Sequence, residues 1–315
     1  MIMTGQTNKF QPGWYYRLST FFRARFGEPI YKIPIDAGFT CPNRDGTVGT
    51  EGCSYCYNPS FSPFTRTGTI IPVSGQIERG RKKKMQARYL AYFQSYTNTY
   101  APPEQLKPLY DEALADREVI GLSIATRPDC ISEEILAMLE SYAHRCHIWV
   151  EYGLQSAHDS TLFRINRGHD SAAFSDAVKR TRNRKILICA HIILGLPGET
   201  PEMMLETVQF LNDAGVDGVK FHHLQVIKNT PLAGQYARNE ISVYEKAEDY
   251  ISILCDCLEW LSADIVIHRL ASQAASQDLL IAPHWPESAG QIASLTESEL
   301  SRRGTCQGFN YNYNL

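Results

Sequence analysis

From residue 89 onward the chain alternates short apolar runs with helix-patterned segments, and no other feature restricts its fold as tightly. Residues 89–95, 119–125, 147–152, 186–194 and 216–225 read as strands, being apolar, rich in β-branched and aromatic residues, and short. Between them, 106–115, 133–141, 159–166, 171–182 and 202–214 read as helices, with Ser132 as an N-cap and Thr200 followed by Pro201 as a start signal. An earlier strand is expected over 30–36. This rhythm favours a parallel α/β core over a helical bundle or a β-sandwich. It also places polar residues just after strands, where α/β barrels assemble their sites; the rhythm alone does not separate a barrel from an open sheet.

The strand at 30–36 leads directly into CPNRDGTVGTEGCSYC at 41–56, which holds Cys41 and the CxxC pair Cys53 and Cys56. Three thiolates from one loop can converge on an iron–sulfur cluster and leave one iron open to a small molecule. Read from the residues alone, a zinc site completed from elsewhere and three unrelated buried cysteines stay open as alternatives. The chain has nine cysteines, an odd number at irregular spacing, which gives no disulfide framework. Cys255, Cys257 and Cys306 read as core cysteines rather than a second cluster.

With 315 residues and 43% hydrophobic content, the chain can bury a substantial single core. It has no apolar run of about twenty residues, so membrane insertion and secretion are disfavoured and a cytoplasmic location is expected. A net charge of −3 does not point to nucleic acid, but local patches can still hold phosphate. Arg79, Arg81, Lys82, Lys83 and Lys84 form one such patch within a helix-forming stretch at 76–88, which Gly80 weakens. Arg164 and Arg167, with the basic run at 179–185, form another. Each is read as a phosphate contact or as a solvated face.

Three units are expected: an N-terminal extension at 1–29, a core at 30–235, and a C-terminal helical and mixed extension at 236–315 packed on that core. The first contains a helix starting near Pro12 with its aromatic side inward. In the last, Ser242 and Glu245 form a capping-box pattern for a helix to about residue 261, and 264–270 reads as a strand. Thr296 and Glu299 suggest a further helix start, and the tail from Gly304 is expected to fray.

Beyond the cysteine loop, four stretches carry a resemblance: SIATRPDC at 123–130, VEYGLQSAHDSTLFRINRGH at 150–169, HIILGLPGET at 191–200 and KFHHLQVIKNTPLA at 220–233. In this order they resemble the radical S-adenosylmethionine (SAM) superfamily and its elongator-like group. More closely, they resemble a small bacterial family with CPNRDG near its first cysteine. The resemblance implies a partial (β/α)6 barrel with N-terminal and C-terminal extensions. It implies that Cys41, Cys53 and Cys56 hold three irons of a [4Fe–4S] cluster whose fourth iron is chelated by SAM, with Tyr55 near the adenine. Gln94, Ser95 and Asn98 stand where the superfamily carries a Gly-Gly-Glu signature and are expected at the methionyl amino group. Glu151 and Gln155 are expected at the ribose or amino-acid part. Ile193 and the turn from Gly195 are expected at the adenine, with a rigid turn as the alternative reading.

For the substrate, the candidates are Arg127, Asp129, His191, His222 and His223, together with the basic residues above. Bracing of the barrel rim is the alternative for the first two, and hydrogen bonding within the barrel for the histidines. No catalytic acid or base is assigned. The implied reaction converts 5-carboxymethylaminomethyl-type wobble uridine of tRNA to the 5-aminomethyl type, with tRNA and a cellular one-electron donor as partners. The alternatives are radical SAM chemistry on a peptide or small metabolite, and a noncatalytic Fe–S interaction protein.

Overall fold

The computed structural model describes residues 13–60, 62, 68, 71–81, 87–272 and 277–311. Its centre is a parallel sheet that begins with β1 (Ile30–Ile35), β2 (Arg88–Phe93), β3 (Val119–Thr126), β4 (His147–Gln155), β5 (Leu187–Leu194) and β6 (Gly218–His223), paired in chain order. After a small antiparallel ribbon of β7 (Val226–Ile227) and β9 (Leu280–Ala282), the segment expected as a strand at 264–270 adds β8 (Val266–Arg269) beside β6. β3 and β4 are buried along their whole length, which is why they read as apolar runs rather than as alternating strands.

The sheet curls into a partial barrel. Lys32 on edge strand β1 reaches Glu151 on β4 at 2.5 Å and lies 3.3 Å from His268 on the opposite edge strand, β8. Helices cover the outside: α2 (Val73–Gly80), α3 (Pro103–Leu114), α4 (Glu133–Ala143), α5 (Asp159–Arg164), α6 (Ser171–Thr181), α7 (Pro201–Ala214), α8 (Pro231–Ala237), α9 (Ala247–Trp260) and α10 (Ala289–Arg303). Ser132, Asp170 and Thr200 cap α4, α6 and α7 through their side-chain oxygens.

The first helix, α1 (Leu18–Phe26), starts later than expected and closes the N-terminal end of the barrel. Its Phe22 packs with Ile30, Leu90, Ile120, Trp149 and Val266, while Arg23 and Arg25 stay exposed. No helix among the described residues is long and apolar enough to cross a membrane.

Four expectations are corrected. The helix expected at 76–88 ends at Gly80, whose bare Cα lies against Ile33, and Arg81 is already extended. Ser242 and Glu245 do not cap α9, which starts at Ala247 after an uncapped Lys246; Glu245 instead accepts from the Tyr236 hydroxyl. The capping box of α10 is Ser288 with Gln291, and Thr296 is buried in mid-helix, donating to the Ile292 carbonyl. The tail is docked as far as it is described. Gln307 donates to the carbonyls of Ser262 and Ile265 and accepts from the Tyr16 amide.

Candidate active site

The loop after β1 is folded by its own backbone and fastened across the barrel mouth. The amides of Arg44 and Asp45 donate to the Cys41 carbonyl, and the Cys56 amide donates to that of Cys53. Asn43 Nδ2 donates to the Asn166 carbonyl at 2.6 Å, Asn166 Nδ2 to that of Gly52 at 2.7 Å, and the Ser54 amide to that of Ile165. Gly168 permits this approach. It has a φ of 73°, and a Cβ there would meet Val48 and Asn43 at 2.9 and 3.0 Å.

Cys41, Cys53 and Cys56 line one cavity of about 280 Å³, which continues down into the barrel. Arg167 Nη1 lies 3.5 Å from Cys53 Sγ and Asn43 Nδ2 lies 3.7 Å from it. Burial raises the Cys53 thiol, but Arg167 and then Arg127 outweigh it and the net shift is downward, toward thiolate. Cys56 is pushed up to about 11 by burial and by the charge of Cys53, with Arg44 opposing. A single loop thus carries one thiol inclined to ionise and a neighbour that needs a cation before it can, with a third thiol on the same cavity. That donor set fits an iron–sulfur cluster, whose positive irons relieve the repulsion between thiolates.

Below the mouth, ionic groups fill the barrel interior. Glu151 is wholly buried; its carboxylate accepts from Lys32 at 2.5 Å, Lys220 at 3.0 Å, His191 Nε2 at 2.7 Å and the Ser123 hydroxyl. Burial alone would raise that carboxyl, but the Lys220 and Lys32 ammoniums hold it well below the ordinary range. Lys220 also donates to the Tyr92 hydroxyl at 2.6 Å. Burial, helped by Arg269 and Lys32 and opposed by Glu151, brings its ammonium down to about 7. His191 falls to about 4 and His223 to about 3, in both cases chiefly through burial, so both rings are neutral at pH 7.

Glu151, Cys189 and His268 bring their donor atoms within 4.8 Å of one another. The lysines already occupy both Glu151 oxygens, and burial keeps Cys189 protonated. This trio is therefore an ion-paired cluster rather than a metal site.

Of the residues expected at the cofactor, Tyr55, Gln94, Glu151, Gln155 and Ile193 line the cavity. Tyr55 packs with Leu162, Ile165, Ile193, Leu196 and Leu224. Ser95 and Asn98 are buried beside the cavity but do not line it, and Asn98 Nδ2 donates to the Ala125 carbonyl at 2.8 Å. Gly195 lies in a second hollow, with Arg164 and Tyr244, and has a φ of 84°; a Cβ there would meet the Tyr244 ring at 2.9 Å.

Of the substrate candidates, Arg127, Arg167, His191, His222 and His223 line the cavity. Asp129 holds Arg127 through a two-pronged ion pair, and Arg127 also donates to the Arg167 carbonyl, which braces the rim. Arg79 and Arg81 are not brought to the mouth. α2 returns the chain to the N-terminal end of the barrel, where Arg81 pairs with Asp116 and Glu118 just before β3. Lys82, Lys83 and Lys84 lie outside the described residues.

The residues that sequence reasoning missed are Asn43 and Arg44 in the loop, and Lys32, Lys220, His268 and Arg269 in the barrel. For the two lysines the available signal was a lone charge inside a strand-patterned run, at a position whose neighbours are apolar.

Residues 43–211 match the family described as "Radical SAM superfamily", and 216–302 match "Radical_SAM C-terminal domain". "Uncharacterized protein YtqA" of Bacillus subtilis (strain 168) is 37% identical over 297 residues, covering 93% of this chain and 92% of that protein. A "tRNA uridine(34) acetyltransferase" of Methanocaldococcus infernus is 31% identical over 138 residues, 42% of this chain and 25% of that protein. Among solved structures, Elp3 of Methanocaldococcus infernus, lacking its N-terminus, aligns with a TM-score of 0.65 at 17% identity. The alignment covers 88% of this chain and 64% of that one, a likeness of fold.

Proposed function

The chain belongs to the radical SAM superfamily, and on that premise we propose that it modifies the wobble uridine of tRNA, converting a 5-carboxymethylaminomethyl-type uridine to the 5-aminomethyl type in the cytoplasm. It is a radical SAM enzyme whose cofactors are a [4Fe–4S] cluster and SAM. The observation that carries the reading is the single cavity joining the three cysteines at the mouth to the ionic groups of the barrel interior. The stretch of 31% identity with an enzyme named for uridine 34 of tRNA supports the choice of substrate.

Cys41, Cys53 and Cys56 hold the cluster in this reading, and Arg167 and Arg44 offset the charge of its thiolates. When bound, the cofactors would supply one-electron cleavage of the SAM carbon–sulfur bond and, through it, abstraction of a hydrogen atom from the carbon between the amine and the carboxylate and removal of one electron. Once that radical step is over, water hydrolyses the resulting imine, breaking the carbon–nitrogen bond and releasing the arm as glyoxylate. Tyr55 and Ile193 give the adenine an apolar bed, Gln94 offers a neutral polar contact to the methionyl amino group, and Gln155 offers one to the ribose or amino-acid part. Glu151 orders the barrel interior by fixing Lys32, Lys220 and His191. A single-stranded anticodon base can leave its stack and enter such a cavity, where the walls exclude water from the reacting carbon.

The test is an anaerobic reaction of the reconstituted protein with SAM, dithionite as one-electron donor, and tRNA carrying the carboxymethylaminomethyl nucleoside. Expected are 5′-deoxyadenosine and 5-aminomethyluridine, both absent with Cys56→Ala. Formation of 5′-deoxyadenosine with no change in any tRNA nucleoside would overturn the tRNA reading and direct the search to a peptide or small metabolite. No SAM cleavage by the loaded protein would leave a noncatalytic Fe–S protein.

A further inference from the structure

On β6 and β8, Lys220 and Arg269 are register partners, so two cationic side chains sit side by side on neighbouring strands. Both line the cavity, and Glu151 is the one carboxylate among its described lining residues. That carboxylate is already shared between Lys32 and Lys220. Arg269 makes no hydrogen bond or ion pair among the described residues, although its charge is felt at Lys220, His222 and Tyr92. Like charges this close repel, and no described residue of the wall pairs with the second one.

His222 supplies a second, independent observation. Its Nε2 is buried and has no partner among the described residues, while its Nδ1 lies 2.9 Å from Ser272 Oγ. The Ser272 hydroxyl has a second acceptor, the His223 carbonyl at 3.5 Å; given to the nearer Nδ1 instead, its proton leaves the imidazole proton on Nε2 as a donor toward the cavity.

We propose that Arg269, Lys220 and His222 form a subsite for the carboxylate of the substrate. The inference rests on the tRNA reading above, in which the arm on the base ends in a carboxylate before reaction and in an amine after it. A guanidinium with no acceptor offers two parallel donors to a carboxylate, and an imidazole N–H adds a third. The aminomethyl product keeps the amine and has lost the anion, so the pair that holds substrate repels product.

The experiment measures binding of three anticodon stem-loop RNAs to the SAM-loaded holoenzyme, identical except for carboxymethylaminomethyluridine, aminomethyluridine or unmodified uridine at the wobble position. Wild type is expected to prefer the carboxylated RNA about tenfold or more. Arg269→Gln should erase that preference while leaving SAM affinity within about twofold; Arg269→Lys should keep a part of it. Equal binding of the three RNAs by wild type, or an undiminished preference in both Arg269→Gln and Lys220→Met, overturns the subsite and leaves the tRNA reading standing. Loss of SAM affinity in Arg269→Gln, with the RNA preference intact, assigns the arginine to SAM and also overturns it. Failure of wild type to bind any of the RNAs sinks the tRNA reading and the subsite with it.

Discussion

The two ends of the barrel are built from opposite chemistry. At the N-terminal end, Phe21, Phe22 and Phe26 of α1 pack with Trp149, His147, Leu90 and Val266 in an aromatic plug. At the other end, thiols, arginines and neutral histidines face a cavity, and several of their polar atoms have no partner within the described protein. The plug is held by ring packing, and its buried Trp149 Nε1 and His147 Nε2 also lack partners among the described residues; what sets the mouth apart is that its thiols, arginines and histidines line a cavity that a ligand can fill. Stability and chemistry are thus divided between the two ends, with the Glu151 cluster lying between them.

The comparison can be broken most sharply at the mouth. Cys56→Ala should remove bound iron and take 5′-deoxyadenosine below detection while the protein stays folded by circular dichroism; iron retained at wild-type stoichiometry would reject the ligand assignment. In the middle, Glu151→Gln leaves the buried Lys220 and the half-buried Lys32 without their counter-charge, and a loss of about 3–5 kcal/mol is expected in urea unfolding. At the floor, Phe22→Ala should cost a similar amount, about 3–5 kcal/mol, through the cavity it opens, yet leave SAM affinity of the folded fraction unchanged. A Phe22→Ala protein that folds but no longer binds SAM would erase the division between the ends.

Acid acts on both ends in the same direction. His191 at about 4 and His147 at about 3 stay neutral in the folded chain, whereas in the unfolded chain they take up protons near 6.5. The stability these two histidines contribute is therefore full above about pH 6.5 and falls as pH drops toward 4, because the unfolded state then binds more protons. The urea midpoint of the apo-protein should fall between pH 7 and pH 5, and less steeply in His147→Phe. The smallest effect is expected outside the barrel. Arg184 is tied to Glu133 and Glu140 on the outer helices, so Arg184→Ala should change tRNA affinity by less than about twofold and leave its salt dependence unaltered.

Much of this division was legible before the structure. Strands buried on both faces are apolar throughout, so β3, β4 and β5 stood out, and the CxxC pair with Cys41 marked the mouth. The interior was not legible in the same way. Lys32 and Lys220 each sit alone in an apolar strand, and sequence does not say that they face the same Glu151 across a curled sheet. The basic patch at 79–84 misled for a related reason. It follows the cysteine loop closely in the chain, but α2 returns along the sheet and carries Arg81 to the N-terminal end of the barrel, where it meets Asp116. Capping patterns recur by chance in polar segments. Ser242 and Thr296 matched the pattern without capping a helix, while Ser288, next to two residues that hide the helix start, made the real cap. Arg269 carried no sequence signal, since its significance comes from standing beside Lys220 with no acid opposite.

The most direct test of the central claim is quantitative nucleoside mass spectrometry of tRNA from a deletion strain complemented with wild type or with Cys56→Ala. The account predicts that carboxymethylaminomethyluridine accumulates and aminomethyl-derived nucleosides disappear in the deletion, that wild type restores them, and that Cys56→Ala does not. Wobble uridines that are the same in all strains, with the protein expressed, would contradict it.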